Sequence, residues 1–184
     1  SLYTIADGIF VGHYIGAEAL AAINLVMPLI MMSFALSDMV AIGSSVQIAI
    51  WLGKGDEKTA GSIFSSSCCF ILLSAVIMGA AAYIFAWPLV HSLGATGEVA
   101  ALAVRYMRIY AGFSVFIMHF FAVDNYLRIC GKVHYSMVMN VGMALTNIFL
   151  DWIFIAIMRW GIEAAALASC LSLMTGNFIC FYPF

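Results

Sequence analysis

The sequence predicts an all-α membrane protein whose fold is a bundle of six transmembrane helices. Hydrophobic residues make up 65% of the 184 residues and charged residues only 9%. Soluble domains carry roughly 45–50% apolar and about 25% charged residues, so a soluble fold could not cover its surface with so little charge. The apolar residues also form long runs separated by short stretches that contain glycine or charge. A membrane-spanning helix requires about 20 such residues.

The apolar runs define six predicted helices and their order. They cover about residues 1–12, 19–52, 60–87, 99–127, 133–158 and 162–184. The second run exceeds the thickness of the hydrocarbon core, so we expect this helix to tilt, protrude or kink at Pro28. Pro88 is predicted to end the third. The first run is short and the last has no flanking charge, so we expect a piece that begins inside one helix and stops at the end of another.

Several classes of function are disfavoured by the composition. The net charge of −2 is too small to indicate a nucleic-acid partner. The motif Gly43-Ser44-Ser45 is too weak for a serine nucleophile, and no phosphate-binding glycine loop occurs, so we do not expect an enzyme or an organic cofactor. The cysteines lack metal-ligand spacing and are interpreted as small packing residues; they are Cys68, Cys69, Cys130, Cys170 and Cys180.

The positive charges predict the orientation in the membrane. Basic residues are enriched in cytoplasmic loops. The larger group on one side comprises Lys54, Lys58, Arg128 and Lys132. The loops near residues 55 and 131 are therefore predicted to be cytoplasmic, in a multi-pass protein of the cell (inner or plasma) membrane.

The fifth predicted helix carries a polar stripe. Asn140, Asn147 and Asp151 recur at spacings of seven and four residues, and Ser136 extends the series. At about 100° per residue these side chains share one narrow face of a helix. A carboxylate at the bilayer centre costs about 2.5–3.5 kcal/mol or more. The stripe must therefore face protein, water or a cation, which makes it a candidate functional site.

Further acids and amides lie within the apolar runs. Asp7 caps a helix end, lies at an aqueous terminus exposed by truncation, or has a buried functional role. Asp38 lies in an unusually polar half of the second helix. Asp124 either pairs with Arg128 at i, i+4 or, with Asn125, handles an ion or substrate. Buried carboxylates exchange protons for cations, and oxygen donors suit a hard cation. The pattern thus favours an ion or proton pathway.

Several motifs match one family of transporters in order and spacing. The first blocks are Ala6 to Gly12, Ala19 to Ala22 and Leu52 to Asp56, together with Pro28. The later blocks are Asp124 to Arg128 with Gly131, Asn147 to Asp151, and Gly161-Ile162. With these, the whole chain resembles multidrug and toxic compound extrusion (MATE) transporters, in the prokaryotic branch that includes the DNA-damage-inducible F-like proteins.

The resemblance implies an architecture, a function and a site. The family has twelve helices in two lobes, so this chain would be the amino-terminal lobe, with the carboxy-terminal lobe of the same protein and the lipid bilayer as partners. The implied activity is export of small organic cations or drugs in exchange for Na⁺ or H⁺. Asp7, Asn147, Asp151 and Ser169 would bind the coupling cation. A second group would face substrate or a cavity and comprises Asp38, Asp124, Asn125 and Asn140.

Two other hypotheses remain open. The first is a flippase for lipid-linked intermediates or half of another secondary transporter. A flippase would be expected to carry basic residues in its cavity to bind phosphate, whereas this membrane interior is acidic. A non-transporting membrane subunit would require that the acids are neutralised by basic partners, and only Arg128 lies near in sequence.

Overall fold

The structure is a computed structural model that describes residues 2–180, with side chains from 7 to 179. The expected ends of the first and last helices, at residues 1 and 184, and the side chain of Cys180 lie outside this description. Seven α-helices follow one another within the described residues. They are α1 (Leu2–Tyr14), α2 (Ala17–Gly53), α3 (Glu57–Ile84), α4 (Ala86–Ser92), α5 (Gly97–Ile129), α6 (Val133–Asp151) and α7 (Ile162–Cys180).

In the part of the chain that the structure describes, five helical segments are long and apolar enough to cross a membrane. They are Ala17–Gly53, Glu57–Ile84, Gly97–Ile129, Val133–Ile157 and Ile162–Ile179. The described residues include no strand, and many large apolar side chains point outward, as expected of a protein surrounded by lipid. The predicted all-α membrane fold is confirmed.

The helix ends follow local sequence signals. Asp56 caps α3 by accepting hydrogen bonds from the Thr59 backbone nitrogen at 3.0 Å and its hydroxyl at 2.7 Å. These bonds stabilise the charged carboxylate, so the pKa of Asp56 lies below its ordinary value. α2 continues through Pro28. Pro88 lies within the first turns of α4 rather than directly after α3, because early helical positions tolerate a residue without an N–H group.

The helix α5 occupies the centre of the bundle. It packs against α2, α3, α4, α6 and α7. α1 instead packs most closely on α6, to a lesser extent on α2 and on the π-helical turn Trp152–Ile157 that follows α6, and least on α7. This arrangement gives α1, α6 and α7 a shared interior beside α5.

Candidate functional site

The acidic site lies where α1, α6 and α7 meet. Asp7 is 4% exposed, Asn147 1%, Asp151 0% and Ser169 2%. The side chains come from three different helices that pack together. The structure therefore brings all four residues of the expected cation site into the protein interior, away from lipid.

The polar stripe of α6 explains why the site forms there. Ser136, Asn147 and Asp151 are buried on this helix, whereas Val138, Val141, Leu145 and Phe149 on other faces are exposed. Polar groups gain hydrogen bonds and avoid lipid when they turn inward. The stripe thus orients α6 with its acid toward α1 and α7.

One hydrogen bond connects α6 and α7 within the site. The amide nitrogen of Asn147 donates to the hydroxyl of Ser169 at 3.2 Å. The amide oxygen of Asn147 is buried and has no hydrogen-bond partner among the described residues. It remains available as an acceptor ligand.

Both acids also have oxygens without partners. These are one carboxylate oxygen of Asp7 and both of Asp151, as far as the described part of the chain extends. The two carboxylates are close enough to interact electrostatically. An unpaired charge buried in protein costs several kcal/mol, so the pair requires protons or a cation.

Tyr106 is a member of the site that the sequence analysis did not identify. It lies on α5, is 0% exposed, and its hydroxyl has no hydrogen-bond partner within the described residues. It interacts electrostatically with Asp7 and stacks on Tyr110 with ring centroids 5.0 Å apart. A single tyrosine in an aromatic-rich helix gives no periodic signal that would distinguish it from packing residues.

The buried polar groups of the site that lack hydrogen-bond partners in the described part of the chain are all oxygen atoms. They are carboxylate, amide and phenol oxygens. No group of three His, Cys, Asp or Glu side chains suited to a metal ion occurs among the described residues. Oxygen ligands of this kind suit Na⁺, and the carboxylates also accept protons.

Asp124 lies in a separate network that joins α5 to α6. Arg128 donates to it at 2.6 Å, Ser136 at 2.5 Å and Asn140 at 3.1 Å. Arg128 also donates to the Ser136 hydroxyl at 3.1 Å. Of the two alternatives for Asp124, the structure thus contains the pair with Arg128, extended by two residues of the α6 stripe.

The other two expected cavity residues lie apart from this network. The amide nitrogen of Asn125 donates to the backbone oxygen of Phe121 at 3.1 Å, which keeps it within α5. Asp38 is half-buried on α2 and forms no ion pair with the residues that the structure describes.

The long apolar helices define a multi-pass membrane protein, and its buried acids lie within the helical bundle. The family model MatE matches residues 1–153. The chain belongs to the MatE family, whose members are transporters rather than enzymes.

Relatives and solved structures agree with this assignment. Over 171 residues the chain is 26% identical to the multidrug export protein MepA of Staphylococcus saprophyticus, covering 93% of this chain and 38% of that protein. MepA proteins of Staphylococcus aureus are similar to the same extent.

Among solved structures, a MATE protein in complex with MaL6 superposes with a TM-score of 0.92 at 32% identity. The superposition covers 100% of this chain and 41% of the MATE protein. A MOP superfamily transporter from Pyrococcus furiosus gives 0.84 at 33% identity, with 40% of its length and 100% of this chain covered. The chain therefore spans about two fifths of the length of these proteins and corresponds to one lobe of a larger transporter.

Proposed function

We propose that the complete protein containing this chain is an antiporter of the cell membrane that exports organic cations in exchange for Na⁺ or H⁺. Asp7, Asn147, Asp151 and Ser169 bind the coupling ion, and Tyr106 completes the ligand set. A carboxy-terminal lobe supplies the second half of the transport path. The expected roles of Asp38, Asp124, Asn125 and Asn140 toward substrate remain predictions.

The observation that carries the proposal is the set of buried oxygens without partners. Asp7, Asn147 and Asp151 offer acceptor atoms that no described donor satisfies. An acid with a purely structural role would be expected to resemble Asp124, whose carboxylate accepts hydrogen bonds from an arginine, a serine and an asparagine. The contrast between these two acid sites in one small bundle supports ion binding at the first.

The same geometry supports coupling of ion binding to helix packing. α1 contacts α6, the turn after it and α7 around the two acids. Without a bound cation or proton, the two negatively charged carboxylates repel each other. A cation or proton bound between them removes this repulsion. The packing of α1 thus depends on ion occupancy, which is what exchange of an ion for a substrate requires.

Transport by the full-length protein in lipid vesicles tests the proposal. We expect export of a fluorescent organic cation to follow an imposed Na⁺ or H⁺ gradient, and Asp151→Asn to abolish that dependence. Asp56→Asn is the matched control, because Asn also caps a helix and residue 56 lies outside the acid site. Gradient-driven export that survives Asp151→Asn would refute the assignment.

A further inference from the structure

A cavity lies at the other end of the bundle, between α2, α3 and α5. Its volume is about 410 Å³, and it lies near the loops that contain residues 54 to 56 and 130 to 132. Small-molecule sites have volumes of about 300–1,000 Å³ and are mostly apolar with a few polar groups. Ile48, Leu52 and Ile129 supply apolar walls here. None of the four expected ion-site residues lines this cavity.

The cavity has an ordered aromatic wall. Phe64 and Tyr126 meet edge to face, with centroids 5.1 Å apart and planes at 72°. The Tyr126 hydroxyl is hydrogen-bonded to Ser44 at 2.6 Å, and Ser44 in turn donates to the Val40 backbone oxygen at 2.7 Å. These contacts fix the tyrosine ring before any ligand arrives. Aromatic rings bind flat apolar groups and attract cations.

A carboxylate provides the charge of this site. Among the described residues, Glu57 is the only charged side chain that lines the cavity, and it is exposed at the start of α3. The neighbouring bases have partners or lie outside the lining: the Lys54 ammonium is 4.4 Å from the Trp51 ring centroid, and Arg128 pairs with Asp124. Lys58 and Lys132 are exposed and do not line the cavity. The Asp56 carboxylate does not line it either and accepts hydrogen bonds from Thr59 as the cap of α3.

We propose that this α2–α3–α5 cavity binds an amphipathic organic cation that carries aromatic rings. Glu57 faces the positive charge, while Phe64, Tyr126 and the apolar walls contact the rings. Its role as a capture site for export rests on the proposed function, but ligand binding at the cavity does not. The competing occupant is a lipid acyl chain, whose binding would not depend on the charge of Glu57.

Cys130 provides a reporter, because it lines the cavity and is half-buried. In the full-length protein with all other cysteines replaced by serine, the rate of Cys130 modification by a maleimide is measured. Tetraphenylphosphonium is the cationic probe, and tetraphenylborate is an anion of nearly the same size and shape. We expect saturating tetraphenylphosphonium to slow modification by roughly tenfold, whereas tetraphenylborate has little effect.

Variants separate this site from its alternatives. Glu57→Gln is expected to weaken the apparent Kd for tetraphenylphosphonium by about threefold, whereas Glu98→Gln, an exposed acid in the first turn of α5, leaves it unchanged. Phe64→Leu should also weaken protection. Equal protection by both ions, protection by neither, or an unchanged Kd in Glu57→Gln would each overturn the proposal.

The acid site provides an independent check. Asp151→Asn should abolish ion coupling in vesicles yet leave the protection of Cys130 intact. If this variant removes protection, the cavity is not a separate site and the inference fails. If coupling is absent in the unchanged protein while protection persists, the proposed function fails and the binding site stands.

Discussion

The amide of Asn147 on α6 donates a 3.2 Å hydrogen bond to the hydroxyl of Ser169 on α7. This contact uses the nitrogen of the amide and leaves its oxygen as an acceptor. The orientation of the oxygen therefore depends on a residue of a different helix. Ser169 thus has two roles: it is a proposed ligand, and it fixes the orientation of Asn147.

The first prediction concerns that hydrogen bond. Ser169→Ala removes the acceptor and frees the Asn147 amide to rotate, at a cost of about 1 kcal/mol. We expect the apparent affinity for the coupling ion to fall by roughly fivefold, as measured from the ion dependence of transport in vesicles. Ser169→Thr retains a hydroxyl and should restore most of the affinity. Equal losses in both variants would argue against this hydrogen bond as the cause.

A second prediction concerns the two buried carboxylates. Asp7→Asn removes one of two interacting negative charges, so the protein without added cation should become more stable to heat. Stabilisation by added Na⁺, or by acidification if protons are the coupling ion, should shrink at the same time, because ion binding stabilises the folded state by mass action. Thermal unfolding in detergent at several ion concentrations measures both effects. An undiminished ion-dependent shift would contradict the role of Asp7.

A third prediction tests the network around Asp124. Arg128→Gln leaves a carboxylate inside the bundle without its cation, while the hydrogen bonds from Ser136 and Asn140 remain. Because the Arg128 side chain is 54% exposed, we expect a loss of about 1–3 kcal/mol in unfolding free energy. The double variant Asp124→Asn/Arg128→Gln should recover much of the loss in the same thermal assay. A double variant no more stable than the single one would mean that the charge is not the cause.

A fourth prediction concerns close packing between α3 and α5. A Cβ atom at Gly79 would lie 2.9 Å from the backbone oxygen of Ala111 and closer still to Ser114. Gly79→Ala should therefore force the two helices apart and destabilise the protein by about 1–3 kcal/mol. Gly112→Ala is the control, since a Cβ there meets nothing within 4 Å. It should be neutral or slightly stabilising, because alanine favours helix. Similar unfolding temperatures for both variants would contradict the packing argument.

Much of the helical framework could be predicted from sequence, because long apolar runs have few alternative structures in lipid. The inward face of α6 was also predictable, since Asn147 and Asp151 share one face at helical spacing. That Asp7 lies near Asp151 could not be derived from the helix pattern, which contains no information on how α1 packs on α6. Only the family resemblance placed the two acids in one site.

Other features had no clear sequence signal. The sequence does not predict the short helix α4, because a proline such as Pro88 is expected to end the preceding helix. The partners of Asp124 include Ser136 and Asn140 across a turn, and their convergence depends on how α5 and α6 pack. The charges alone indicated only Arg128. Tyr106 resembles the packing aromatics around it until its hydroxyl is found beside the acid cluster.

The backbone beyond Asp151 does not continue as a regular α-helix. Residues Trp152–Ile157 form a π-helical turn, in which hydrogen bonds skip one more residue than in the α-helix. If this turn became a regular α-helix, the helical segments before and after it would rotate by about 100° relative to each other about the helix axis. Asp151 directly precedes this turn. A shift of the helical register by one residue can therefore change the direction of its carboxylate while the rest of α6 keeps its position.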